Sequence, residues 1–181
     1  MRQVTLAVFA AGLPAQLAYE RISDFARYEQ LTSTVRQVVV HPPEPDGSVV
    51  SDWTVHFRNG LLCWSERDTF DDAARTIDFV QLTGDFEVFR GRWLVTRSAD
   101  GTRIVFDAEF DLGMPSLAAI LDPVAASTLR DNILVILRGL LADYDLLDEA
   151  DYAPVDGPEQ AAVPTAARPG EPGALVAVSR D

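Results

Sequence analysis

Ser65 and Arg67 stand two apart in the stretch Cys63-Trp-Ser-Glu-Arg-Asp-Thr69, so a β-strand would aim a hydroxyl and a guanidinium at the same side. If Cys63, Ser65, Arg67 and Thr69 share an inner face, Arg67 points into whatever the sheet encloses, where an unpaired charge is expensive. It then needs a carboxylate, water or a ligand carbonyl. A guanidinium stays protonated and so cannot readily act as a base, but it can hold a developing oxyanion while Ser65 and ordered water relay protons. The competing reading pairs Arg67 with Glu66 or Asp68 across a solvated face. Trp53, Trp64 and Trp93 are candidate platforms for a planar ring, although buried tryptophans more often belong to a core. Asn132 is a polar group within an apolar helical run and is aimed at or near the same space, or else at the helix surface. His56 alternates with Val55 and Phe57 and should face outward, and His41 precedes Pro42-Pro43 in a loop. Cys63 has no histidine beside it. No general base or activated thiol is therefore expected among these three, nor a zinc site, and no cofactor is called for.

The elements that would position these groups follow from periodicity. Gln3 to Phe9 reads as a first strand, with Pro14 opening a short helix over Ala15 to Ile22. A second short helix follows over Asp24 to Leu31, with Ser23 or Asp24 placed to cap it. The alternative reading of Met-Arg-Gln-VTLAVFAAGL-PAQLA as an export signal would cut the first helix in two near Ala18. Six strand-like runs come next: Thr34 to His41, Ser48 to Arg58, Leu61 to Phe70, Arg75 to Thr83, Phe86 to Arg97 and Thr102 to Leu112. Turn chemistry at Glu44-Pro-Asp-Gly47, Asn59-Gly60, Asp71-Asp72, Gly84-Asp85 and Asp100-Gly101 separates them, which predicts an antiparallel meander. Ile104, Phe106, Ala108, Phe110 and Leu112 alternate with Arg103, Asp107, Glu109 and Asp111, so that strand has one buried and one wet face. From about Leu117 to Leu147 the period becomes helical, a long lid for the apolar face.

Composition bounds the partners. The 181 residues carry 28 acids against 15 basic residues, all of them arginine, for a net charge of −13. Residues 1–147 alone carry 21 acids and 13 arginines, a net −8. Such a surface repels nucleic acid and anionic membrane. One cysteine permits no internal disulfide, and no apolar run approaches the length of a membrane span, so a cytoplasmic protein is expected. Residues 148–181 are rich in Ala, Pro, Gly and acids and too poor in apolar mass to offset their ordering entropy. They are expected to form a disordered tail behind one folded domain, 1–147.

GDFEVFRGRWLV, from Gly84 to Val95, mixes aromatics and arginines around Gly91, which marks either a plain alternation or a bulge that flips the register. Together with ISDFARYEQLTSTVRQVVV at Ile22 to Val40 and WSERDTFD at Trp64 to Asp71, it resembles the polyketide cyclase/aromatase and START-like helix-grip superfamily, including coenzyme Q-binding relatives. That resemblance implies an α+β fold: a seven-stranded curved antiparallel sheet wrapped on a long C-terminal helix, with two short helices after the first strand. It implies an internal cavity for a hydrophobic small molecule. Two functions fit. One is regiospecific cyclisation and dehydration of a poly-β-ketone presented by a carrier protein in antibiotic biosynthesis, with Arg67 and Ser65 catalytic and Arg90 and Arg92 available for docking. The other is a non-catalytic carrier or chaperone for a quinone, lipid or isoprenoid. Either cavity would be lined by Tyr28, Trp53, Trp64, Gln81, Phe86, Trp93, Phe110, Met114 and Asn132.

Overall fold

The computed structural model describes residues 1–148. The stretch expected to be a disordered tail lies, apart from Asp148, outside them. Seven long strands form the sheet: β1 (Arg2–Ala11), β2 (Val35–Val40), β3 (Val49–Phe57), β4 (Gly60–Asp71), β5 (Thr76–Gly84), β6 (Val88–Ser98) and β7 (Gly101–Asp111). A two-residue β8 (Asp145–Leu146) adds an eighth. Spatial order is β2-β3-β4-β5-β6-β7-β1-β8, antiparallel throughout, so the meander read from the turn residues is the observed connectivity. The first strand pairs with β7 along its whole length and buries Val4, Leu6, Val8 and Ala10, which is why the N-terminal apolar run is a strand.

Between β1 and β2 lie α1 (Ala15–Ser23), a 3₁₀ turn (Phe25–Arg27) and α2 (Tyr28–Leu31). The expected cap differs. Ser23 donates back to Tyr19 O at 2.8 Å and closes α1, while Asp24 makes no capping bond. The long helix α3 (Ala118–Leu141) packs Ile133, Ile136, Leu137 and Leu140 against the concave side of the sheet. It stops short of Leu147 because Ala142 takes a left-handed backbone (φ 70°), after which the chain returns to pair β8 with β1. Each large apolar side chain fully buried in this way contributes about 1.5–3 kcal/mol relative to exposure.

On β7 Ile104, Phe106, Ala108 and Phe110 are buried on the inner face as read, but the outer face is not wet throughout, because Val105 is buried on it. Gly91 marks no bulge. β6 pairs with β7 without a break from Val88↔Asp111 to Ser98↔Gly101, so Phe89, Gly91 and Trp93 face inward and Arg90 and Arg92 outward. Phe86 precedes the strand and turns inward from the β5–β6 connection. Glycine is required at 91 because a Cβ there would overlap the Phe79 ring and the backbone of Asp107 and Ala108. Gly91→Ala should therefore lower the thermal midpoint by roughly 4–10 °C, measured by circular dichroism. An unchanged midpoint would mean that the Phe79 ring and the neighbouring backbone yield at no cost.

Candidate ligand cavity and its buried carboxyl pair

Between α3 and the sheet lies a cavity in which aromatic rings make up about half of the lining side chains. Trp53 and Trp64 are direct cross-strand partners on β3 and β4, and their rings stack at 6.0 Å with planes 9° apart. Phe25 and Tyr28 meet Trp53 edge-on at 5.3 and 5.6 Å, so the 3₁₀ turn and α2 supply one end wall. Phe79, Phe89, Trp93 and Phe106 form the floor, and Leu129, Asn132, Ile133 and Ile136 of α3 the roof. A second lobe shares Val55, Trp64, Phe89, Leu129 and Asn132 with the first and continues between Phe57, Leu62, Phe86, Phe110 and Ala125. About 70 Å³ of the main lobe is open to the centre of a water molecule. Ligand sites typically offer about 300–1,000 Å³, so a guest of that size fits only where the walls move apart.

Two acids stand among these rings. Glu66 and Asp68, only 6% and 1% exposed, line the main lobe from neighbouring inward positions of β4. Asp68 Oδ2 accepts the Ser51 hydroxyl at 2.6 Å, and Ser51 Oγ accepts the Trp53 indole N–H at 2.8 Å. Glu66 Oε2 accepts the Trp64 indole N–H at 2.7 Å. Burial pushes the Asp68 carboxyl up to about 6, against the pull of the Ser51 hydrogen bond. Burial and then the neighbouring Asp68 charge push Glu66 well above the usual carboxylate range, with the indole N–H groups pulling the other way. Burial thus favours the protonated form of both carboxyls, and the charge of one raises the cost of ionising the other. Tyr28 donates to Ile22 O at 2.6 Å, and burial above all, then the charges of Asp68 and Glu66, keep its phenol neutral.

The inner face of β4 is thus Trp64, Glu66, Asp68 and Phe70, not Cys63, Ser65, Arg67 and Thr69. Arg67 is exposed on the outer face, on the opposite side of the strand from both acids, so it neither enters the cavity nor pairs with Glu66 or Asp68. Its charge is felt by Asp46 in the β2–β3 connection, whose carboxyl is held low chiefly by Ser48. Ser65 donates to Asp52 Oδ1 on the same outer face, and Asp52 Oδ2 lies 2.7 Å from His41 Nε2. Ser65 first and His41 second hold the Asp52 carboxyl below its ordinary value. The inner parity was readable from Trp64 and Phe70, which share the spacing of Glu66 and Asp68. Following the polar residues instead of the aromatic ones selected the wet face.

Of the other expected residues, Tyr28, Trp53, Trp64, Trp93 and Asn132 line the main lobe, and Phe86 and Phe110 line the second. Asn132 also donates to His56 O at 2.9 Å, tying α3 to the end of β3. Gln81 is half-buried and holds the β5–β6 connection through Nε2 on Phe86 O, 2.8 Å, without reaching the walls. Met114 is exposed in the β7–α3 connection and lines neither lobe, because the chain has left the sheet before it. Arg90 and Arg92 are matched by Glu109 and Asp78, each at 2.6 Å, so their charge is already answered on the sheet surface. Cys63 is exposed.

Residues 12–134 match the family model described as polyketide cyclase/dehydrase and lipid transport. No curated protein matches the sequence. Among solved structures, a protein of Thermus thermophilus superimposes with a TM-score of 0.71 at 21% identity, over 78% of this chain and 95% of that one. The Zhui aromatase/cyclase from a Streptomyces species does so with a TM-score of 0.65 at 24% identity, over 78% and 92%. A START superfamily protein from Mycobacterium smegmatis gives 0.64 at 20% identity, over 78% and 96%. At these identities the likeness is one of fold. Among the described residues no helix is long and apolar enough to cross a membrane.

Proposed function

This chain belongs to the polyketide cyclase/dehydrase and lipid transport family, and from that premise we propose that it binds a poly-β-ketone or related hydrophobic intermediate and promotes its cyclisation and dehydration through Asp68 and Glu66. The observation that carries the reading is a pair of carboxyls, Asp68 and Glu66, buried side by side in the wall of a largely aromatic cavity, where burial pushes both toward the protonated form. An intramolecular aldol closure needs a base to form an enolate and an acid to protonate the carbonyl oxygen that the enolate attacks. Two buried carboxyls that resist ionising together near neutral pH supply one of each. Asp68 takes the proton, the enolate carbon forms the ring bond, and the attacked oxygen receives the proton of Glu66. Dehydration then uses the pair in the reversed states, Glu66 removing a hydrogen and Asp68 protonating the departing hydroxyl. The aromatic walls hold a flat, folded chain and keep water away, which strengthens both proton transfers.

A carrier of purely apolar cargo is the second reading. It draws on the same walls but leaves the acids without a task, and burying them without one is costly. The discriminating experiment is a pH–rate profile for cyclisation of a synthetic poly-β-ketone thioester mimic. The rate should rise through about pH 6 as Asp68 ionises and fall again on the alkaline side as Glu66 loses its proton. Arg67→Ala, on the outer face, should change the rate by no more than about twofold. A profile flat from pH 5 to 9, or a large loss in Arg67→Ala, would overturn the assignment to the carboxyl pair.

A further inference from the structure

Asp68 Oδ1 is buried inside the cavity wall, and no group among the described residues donates to it. The donors nearest to hand are committed. Ser51 receives the indole N–H of Trp53 and spends its one hydrogen on Asp68 Oδ2, and the Trp64 indole N–H is spent on Glu66. The Asn132 amide spends one N–H on His56 O of β3, and neither of its hydrogens is donated to Asp68 Oδ1. A buried carboxylate oxygen left without a donor loses the full cost of its desolvation, and proteins rarely carry one without a reason. Among the described residues no cationic side chain lines either lobe.

We infer that the cavity selects ligands by a neutral O–H donor, the enol or phenol of a planar molecule, placed on Asp68 Oδ1, and excludes ligands that bring a carboxylate there. The donor count favours hydroxyl over ammonium. One hydrogen meets one free oxygen, whereas an ammonium would carry three N–H groups into walls whose remaining acceptors are only the oxygens of Glu66 and Asn132 among apolar side chains. An anion would meet Asp68 in a medium of low dielectric with no cation to offset it. This inference rests on the proposed function in one respect, the identity of the substrate proton. For an enolised β-diketone, Asp68 then removes the O–H hydrogen rather than a C–H hydrogen. The O–H pair delocalises to the α-carbon, that carbon bonds to the ketone carbon, and the ketone oxygen takes the Glu66 proton. The product is an isomer of the substrate, with Asp68 protonated and Glu66 ionised.

The test uses the full chain and four probes of one shape: 2-naphthol, 2-methoxynaphthalene, 2-naphthoate and the protonated 2-naphthylmethylamine, titrated calorimetrically at about pH 7.5, where Asp68 is ionised. Naphthol should bind about 10–100-fold more tightly than the ether, the carboxylate and the amine. Asp68→Leu, which keeps an apolar wall and removes the acceptor, should bring naphthol and ether to the same Kd. Asp68→Asn keeps the acceptor for Ser51 and should retain only a few-fold preference, with circular dichroism confirming that both variants fold. Equal binding of naphthol and ether by the parent, tighter binding of the amine, a preference that survives Asp68→Leu, or no naphthol binding up to about 1 mM would each overturn the inference. A donor preference without turnover of the thioester mimic would strike the cyclase reading and leave this one standing. Turnover that needs Asp68, without a donor preference, would do the reverse.

Discussion

Asp68→Asn should slow cyclisation of a poly-β-ketone mimic by about 10²–10⁴-fold, the range lost when a positioned general base is removed, while the protein stays folded. The substitution is nearly isosteric, and the amide oxygen can still accept the Ser51 hydroxyl that Asp68 Oδ2 accepts at 2.6 Å. What disappears is the basicity. Glu66→Gln makes the complementary case: its amide oxygen can keep the Trp64 indole bond, but an amide N–H is a far weaker acid than the carboxyl it replaces. The two losses should be non-additive, because a pair acting as base and acid in one step fails when either member fails. A double variant as slow as the worse single variant is the expected pattern. A structural role would look different. If the acids served only to order Trp53 and Trp64, both amide variants would retain those hydrogen bonds and turn over at nearly the parental rate. That outcome would leave the cavity to the carrier reading.

The meander, the long helix and the aromatic content of the cavity were legible because each rests on a local signal: Asn-Gly and Asp-Gly turns, an alternation on β7 broken only at Val105, and a change of period after Pro115. The facing of β4 was not, although it too is a local property. Its outward residues Ser65, Arg67 and Thr69 look like chemistry, and its inward Glu66 and Asp68 look like solvent-facing acids. Burial inverts those expectations only once Ser51, Trp53 and Trp64 are seen to supply hydrogen bonds across two strands, pairings that no single segment encodes. Met114 failed for a similar reason. Its apolar side chain suggested a wall, but where the chain leaves the sheet is set by the pairing of Val88 with Asp111.

The same acids should make stability fall as pH rises through the mildly acidic range, opposite to the usual effect of paired carboxylates. Asp68 moves from the ordinary 3.8 in the unfolded chain to about 6 in the folded one, and Glu66 is pushed in the same direction by burial and by the Asp68 charge. Below about pH 4 both states hold these protons and neither acid costs anything. Between about 4 and 6 the unfolded chain releases its proton while the folded protein keeps it, so the folded state binds more protons and stability declines with pH. Above the folded value the penalty from Asp68 levels off at about 3 kcal/mol, the free-energy equivalent of that shift, which for a domain of this size is roughly 6–12 °C in midpoint. Asp46, Asp52 and Asp111 are held below their ordinary value and act in the opposite sense, losing their contribution only as pH falls through the lower carboxylate range. An optimum near about pH 4–5 follows, with a decline toward about pH 8. Thermal melts of the parent and of Glu66→Gln/Asp68→Asn across that range separate this effect from the general self-repulsion of a chain at −13, which both share. The double variant should lose most of the decline and melt above the parent at the alkaline end. Parallel curves for the two proteins would mean that the acids ionise in the cavity without penalty. The raised protonation of the pair, on which the acid and base assignments depend, would then not be there.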